Sequence, residues 1–242
     1  MWIRLRQIAL VAHDLESVVG DFHAKLGLNV AFRDPGVASF GLTNAVMAAG
    51  QQFIEVVSPF REATTGGRYL ERRGGDGGYM VILQIEDHAA VKARIEALGI
   101  RKVVEQDGRE YKIMQLHPKD TGGSFLEIDV QIGGESMDGP WEPAGPNWHA
   151  ARTDVVVAIT AAEIQSDDPT ALAARWSAIL GRPIVTDGAG RATIELDNAA
   201  LRFVAIEDGR GEGLGGIDVA VTADSAATTG SQSIGGLRVR VV

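Results

Sequence analysis

Two acidic side chains stand in stretches that are otherwise apolar: Glu55 in Gln52-Phe53-Ile54-Glu55-Val56-Val57, and Glu127 in Ser124-Phe125-Leu126-Glu127-Ile128-Asp129. Turned outward on strands, they only keep the chain soluble. Turned inward, they are costly to bury unless a cation or a proton accompanies them, and a carboxyl so placed is a candidate general acid or base. Apolar neighbours on both sides leave the alternation undecided between the two orientations. Gln7, in the middle of the first apolar stretch, and Met80, in another, are further positions from which separate strands can aim side chains at one point. The sequence has no cysteine, which removes disulfides, thiolate metal sites and cysteine nucleophiles. Any metal must therefore sit on His, Asp, Glu or amide oxygen, and there are five histidines.

The elements that position these residues repeat. The stretch from Gln7 laid over the stretch from Ala161, at a constant offset of 154, aligns Asp14 with Asp168, Phe22 with Trp176, Leu26 with Leu180 and Gly27 with Gly181. A finer echo starts at Met80. Each unit reads as a strand, an Asp that caps a helix, apolar residues at helical spacing (Leu15, Val18, Val19, Phe22 and Leu26 in the first), and a Leu-Gly stop. Strands Asn29–Phe32, Val37–Leu42 and Gln52–Val57 follow, giving βαβββ. The second unit reads as strand Tyr79–Ile85, helix Asp87–Leu98, and strands Lys102–Glu105, Lys112–Leu116 and Phe125–Val130, with a short helix near Arg68–Arg73 before it. Gly133–Trp148 is rich in Gly and Pro and reads as a linker. The expected division is 1–132, a linker 133–152, and a shortened repeat 153–242 whose last helix, after Asp224, is stunted and whose final strand is Leu237–Val242.

The repeat, and above all His117-Pro118-Lys119-Asp120-Thr121-Gly122-Gly123-Ser124-Phe125-Leu126-Glu127, resembles the vicinal oxygen chelate superfamily. Within it the first half is most similar to methylmalonyl-CoA epimerases, which also share an acidic residue before a Pro-containing loop, as in Glu55–Pro59, and a segment like Gly67–Gly74. The resemblance implies an α+β fold of tandem glyoxalase-like domains, each a curved eight-stranded cup of paired βαβββ modules. It also implies a divalent metal (Ni, Co, Zn, Mn or Mg) on Gln7, Glu55 and Glu127. Met80 falls where the family usually supplies His, a poor donor for hard ions, so the metal is expected to bind weakly or be absent. The epimerase pattern implies a second acid on the third strand, where this chain has Ala38 and Ser39. The expected activity is that of a glyoxalase- or epimerase-like isomerase or lyase on a small carbonyl or acyl-thioester, with Glu127 or Glu55 moving the proton and Ser39, Phe40, Met80 and Lys119 around the substrate. The rival is a metal-free small-molecule binding protein of the same superfamily, so whether the chain is an enzyme stays open.

In the second half the offset puts Ala161 at the position of Gln7, Val204 or Ala205 at that of Glu55, Ile217 at that of Met80, and Val239 or Arg240 at that of Glu127, so no ligand set survives there. His13 and His88, at strand-to-helix corners, read as solvated. His117 reads as holding its turn, Arg68, Arg72 and Arg73 as a wet basic cluster, and Trp148-His149 as closing over the first cup or burying the linker. Gly213–Gly216 lacks the context of a nucleotide loop. With 23 basic against 32 acidic side chains and a formal charge of −9, nucleic acid is an unsuitable partner. No apolar run approaches the roughly 20 residues of a membrane span, and Met1–Leu10 turns polar too early for a secretory signal, so a cytoplasmic protein is expected. The expected partner is a small molecule; a homodimer is left open.

Overall fold

A computed structural model describes residues 1–224, 227 and 229–242 of the chain. β1 (Ile3–Val11) leads to Asp14, whose carboxylate accepts from the Ser17 amide and opens α1 (Leu15–Leu26), which Gly27 ends in the left-handed region at φ 67°. β2 (Val30–Phe32), β3 (Leu42–Ala49) and β4 (Gln52–Pro59) complete the first module. The short α2 (Thr65–Arg73) is followed by β5 (Gly77–Ile85), α3 (Ala89–Ala97), β6 (Lys102–Asp107), β7 (Tyr111–Leu116) and β8 (Phe125–Gln131). These eight strands pair in the order β2-β3-β4-β1-β5-β8-β7-β6. Each module therefore runs outward from the centre in the same order. β1 is parallel to β4, β5 is parallel to β8, and β1 and β5 meet antiparallel at the middle.

The plan returns in the second half. β9 (Val156–Ser166) leads to Asp168, which caps α4 (Pro169–Leu180) by accepting from the Ala171 amide, and Gly181 ends that helix at φ 66°. β10 (Ile184–Thr186), β11 (Ala192–Glu195), β12 (Ala200–Ala205), β13 (Gly213–Val221), β14 (Gly230–Ile234) and β15 (Leu237–Val241) follow. Among the described residues this sheet has seven strands, ordered β10-β11-β12-β9-β13-β15-β14. The helix expected after Asp224 falls on Ser225, Ala226 and Thr228, outside the described residues.

One expected strand is corrected. Pro35–Phe40 is a 3-10 helix, because Asp34 caps it by accepting from the Gly36 amide, Pro35 sits in its first turn, and Gly41 ends it at φ 75°. The strand begins at Leu42 and runs to Ala49, so Ala38 and Ser39 are not strand residues.

α1, α3, α4 and one face of each sheet share a continuous apolar core. It includes Ile8, Leu10, Phe22, Ile54 and Leu126 from the first half and Ile164, Trp176, Leu201 and Ile217 from the second. Each such large side chain contributes about 1.5–3 kcal/mol of burial. Polar bonds stitch the halves as well: Trp176 Nε1 donates to the Thr121 carbonyl at 3.2 Å, and Arg94 Nε to that of Ile179 at 2.8 Å. Arg73 is buried, not a wet surface group, because its Nη1 donates to the Gly211 and Glu212 carbonyls at 2.5 and 2.7 Å. The opposite face of the first sheet carries a second cluster, built on Ala9, Val11, Phe53, Val57, Tyr79, Met80 and Phe125 and covered by Trp141 and Trp148 from the segment that follows β8.

Candidate functional site

Glu55 and Glu127 face inward and line one cavity of about 600 Å³ on that second face, together with Gln7, Met80, Ser39 and Phe40. Ser39 and Phe40 stand exposed at its rim, Phe40 with 55% of its surface free. Lys119 does not line it. That residue is exposed on a 3-10 turn, and its own backbone N–H donates to His117 Nδ1 at 3.1 Å, so the turn histidine is spent on fixing its loop. His13 is exposed beside Asp76, 2.7 Å from its carboxylate. His88 departs from the solvated reading: it is buried, with Nε2 on the Ile128 carbonyl at 2.7 Å.

Around Glu55 the donors are fixed from outside. Asn44 Nδ2 donates to Oε1 at 2.7 Å while Asn44 Oδ1 accepts the Asp34 amide at 2.8 Å. Gln7 Nε2 donates to Oε2 at 2.8 Å while Gln7 Oε1 accepts Trp141 Nε1 at 2.8 Å. An indole nitrogen only donates, so it must meet the oxygen of the Gln7 amide, and the amide nitrogen is thereby turned to Glu55. Burial nevertheless dominates. It raises the Glu55 pKa to about 7, against the pull of the Asn44 and Gln7 hydrogen bonds and with some help from the nearby Glu127.

Glu127 belongs to a second polar group. Gln115 Nε2 donates to its Oε2 at 2.7 Å, and Asp129, two residues along the same strand, shares its face. The Tyr111 hydroxyl donates in turn to Asp129, which is fully buried. Burial raises Glu127, and burial together with the Glu127 charge raises Asp129 well above its ordinary value, so the two carboxyls titrate as a coupled pair whose charged forms are disfavoured. Sequence reasoning missed Asn44, Gln115, Tyr111, Asp129 and Trp141.

A divalent ion, implied by the resemblance, does not fit this donor set. The amide oxygen of Gln7 is taken by Trp141, and the face it presents to Glu55 is an N–H. Both Glu55 oxygens already accept amide hydrogens, and Met80 offers a thioether. Among the described residues no three His, Asp or Glu side chains come together as ligands. The expected role of Gln7 as a ligand is therefore replaced by that of a donor to Glu55.

In the second sheet the register assigns the matching positions. Ala9 pairs with Glu55 and Met80, and Glu163 with Arg202 and Gly216. Ile82 pairs with Glu127, and Asp218 with Arg240. The counterparts of Glu55, Met80 and Glu127 are thus Arg202, Gly216 and Arg240. The offset reading of Val204 or Ala205, and of Ile217, is displaced by one to three residues, and an odd displacement on a strand changes the face. Arg202 donates to Glu163 at 3.3 Å and to Asp218 at 2.7 Å, Arg240 Nε to Asp218 at 3.0 Å, and Arg238 to Glu163.

Paired modules, a cavity on one sheet face and inward carboxyls from each module define a site of the vicinal-oxygen-chelate kind. The chain belongs to the glyoxalase-like domain family, whose model matches residues 8–180. Two curated relatives match about half of the chain. The ethylmalonyl-CoA/methylmalonyl-CoA epimerase of Cereibacter sphaeroides is 25% identical over 130 residues, 52% of this chain and 96% of its own length. Human mitochondrial methylmalonyl-CoA epimerase is 24% identical over 131 residues, 52% of this chain and 73% of its own. The crystal structure of a hypothetical protein from Staphylococcus aureus matches the whole chain, covering 100% of it and 99% of its own length at a TM-score of 0.70 and 15% identity, so the tandem fold is shared. Among the described residues no helix is long and apolar enough to cross a membrane.

Proposed function

We propose that the first half is an isomerase site that moves a proton at the carbon next to the carbonyl of a small carbonyl or acyl-thioester substrate, using carboxyls in place of a metal. The observation that carries this reading is the convergence of Glu55, from the first module, and Glu127, from the second, on one cavity. Glu55, with its pKa raised to about 7, is half ionised at neutral pH and strong enough as a base to take a proton from an acidic carbon. Glu127, whose charged form is disfavoured by burial, donates a proton to the carbonyl oxygen as charge develops there, so the substrate passes through an enol. Proton return to carbon and from oxygen restores both groups. Two carboxyls whose environments divide the acid and base roles are a recurring arrangement for such chemistry. The relatives named above, both epimerases of acyl-thioesters by name, support the substrate class.

The test is wash-in of solvent deuterium, followed by mass spectrometry, into a panel of acyl-CoA thioesters and α-hydroxy ketones, in the presence of chelator. Exchange by the wild type that drops at least a hundredfold in both Glu55→Gln and Glu127→Gln supports the reading. Exchange that survives both substitutions, or no exchange across the panel, sinks it.

A further inference from the structure

The segment between the two sheets reaches into the first cup, and one side chain in it decides what the cup holds. Trp141 is 1% exposed. Its ring meets Tyr111 edge-on at 5.4 Å and lies 5.5 Å from the Arg6 guanidinium. The backbone beside it is pinned, because the Glu142 amide donates to Gln131 Oε1 at 2.9 Å. Further along, Trp148 is packed edge-on against Phe53 at 5.1 Å. The indole therefore has a fixed place, and its N–H claims the Gln7 oxygen. Rotating the Gln7 amide to present oxygen toward Glu55 would set its NH₂ against the indole N–H and leave two buried donors facing each other.

We propose that Trp141 is a positioning residue that bars a divalent cation from the first cup by holding the Gln7 oxygen away from Glu55 and Glu127. The proposal rests on the reading of that cup as a site worked by carboxyls without a metal. Gln7, Glu55 and Glu127 all line the cavity, and two of them carry carboxyl oxygens, the donor type a hard cation takes. The third is disabled by a partner that belongs to neither sheet. Freed of the indole N–H, the Gln7 amide turns over, and the set becomes one amide oxygen and two carboxylates.

The experiment is titration of chelator-treated protein with MnCl₂ by calorimetry, with paramagnetic resonance of bound Mn²⁺ as second readout, on the wild type, Trp141→Phe and Gln7→Glu. Gln7→Glu keeps an acceptor for Trp141 and turns an oxygen to Glu55, so it asks whether the cup can hold the ion at all. Expected are no stoichiometric binding by the wild type, and binding at least a hundredfold tighter by both variants. Stoichiometric Mn²⁺ on the wild type overturns the proposal, as does binding by Gln7→Glu alone or by neither variant. Should Trp141→Phe lose its cooperative urea transition, Trp141→Tyr, whose hydroxyl can donate in place of the indole N–H and whose neutral phenol is a poor ligand, is expected to refuse the ion, and its binding Mn²⁺ as tightly as Gln7→Glu also overturns it. Deuterium exchange in chelator is a separate measurement. Exchange without metal gain in Trp141→Phe sinks only the role of Trp141, and metal gain without exchange sinks only the reaction.

Discussion

The two sheets put opposite charges at matching positions and solve the burial problem in opposite ways. On the first sheet, Glu55 and Glu127 sit at register positions that Arg202 and Arg240 occupy on the second. The second sheet answers its arginines with Glu163 and Asp218, which stand where the first has Ala9 and Ile82, and each of these charges finds a partner within the half. The first sheet offers its carboxyls amide and hydroxyl donors in place of cations, so burial pushes their pKa values up. A face whose charges neutralise one another has nothing left for a substrate. A face whose carboxyls are left short of cations keeps titratable groups beside an open cavity, which is the condition for acid–base work.

That contrast is broken most forcefully in the second half. Glu163 meets both Arg202 and Arg238, and it is 7% exposed. Glu163→Ala leaves the buried Arg202 guanidinium with Asp218 as its one remaining counter-charge among the described residues and is expected to cost about 3–5 kcal/mol in urea unfolding at pH 7. A loss well below that range would mean that the network is solvated and that the two faces differ less than their residues suggest.

The pH dependence of stability has opposite signs in the two halves. The folded Glu55 carboxyl titrates near pH 7 against an ordinary value of 4.5. Between those values the folded chain keeps a proton that the unfolded chain has released, so stability falls as pH rises through that window, by up to about 3 kcal/mol. Glu127 and Asp129 add in the same direction. For Asp218 burial pushes upward, but the Arg202 and Arg240 hydrogen bonds outweigh it and hold the group below its ordinary value of 3.8. Its contribution is present above that pH and is lost as the pH falls further. Urea midpoints on the two sides of that window check the first half: Glu55→Gln should lose less stability than the wild type over this interval. An equal fall in both proteins would assign the proton elsewhere.

Activity sharpens the comparison next. Glu127→Gln is expected to lower deuterium exchange about a hundredfold, a typical loss for a general acid. Arg240→Gln, at the matching position, is expected to leave it within about twofold. Comparable losses from both would mean that the second face takes part in the reaction.

Much of this was legible in the sequence because the signals are local or periodic. Asp14 with Gly27 and Asp168 with Gly181 mark the ends of equivalent helices, and the spacing of 154 survives intact. Glu55 and Glu127 stood out as acids in apolar strands. What was missed depends on partners distant in sequence or on a misplaced strand. With the third strand set at Val37–Leu42, Asn44 fell outside it, though an Asn inside Leu42–Ala49 is the polar interruption that marks a cavity face. Asp129 shares a face with Glu127 by simple alternation and was within reach. Trp141 was not, since a tryptophan in a Gly- and Pro-rich segment carries no periodicity, and its partner is 134 residues away. Arg73 and His88 were placed in solvent because the carbonyls that bury them come from residues 211, 212 and 128.

The smallest expected effect isolates the group behind Glu127. Tyr111 donates to Asp129, and that bond favours the charged form of Asp129, while burial and the Glu127 charge oppose it. Tyr111→Phe removes the hydroxyl and leaves the ring in place against Trp141, so packing is kept. A buried carboxyl oxygen losing its donor costs about 1–3 kcal/mol if it must stay charged. Burial already disfavours the charged form of Asp129, so the cost is expected at the low end of that range, about 1 kcal/mol in urea at pH 7. Without the donor, Asp129 binds a proton more tightly, and the coupled pair gives up its last proton at higher pH. The alkaline limb of the exchange profile, where the acid is lost, should move upward by a few tenths of a unit while the acid limb, set by Glu55, stays where it is. A shift of the acid limb instead would show that Tyr111 acts on the base, and the division of roles between the two carboxyls would have to be reversed.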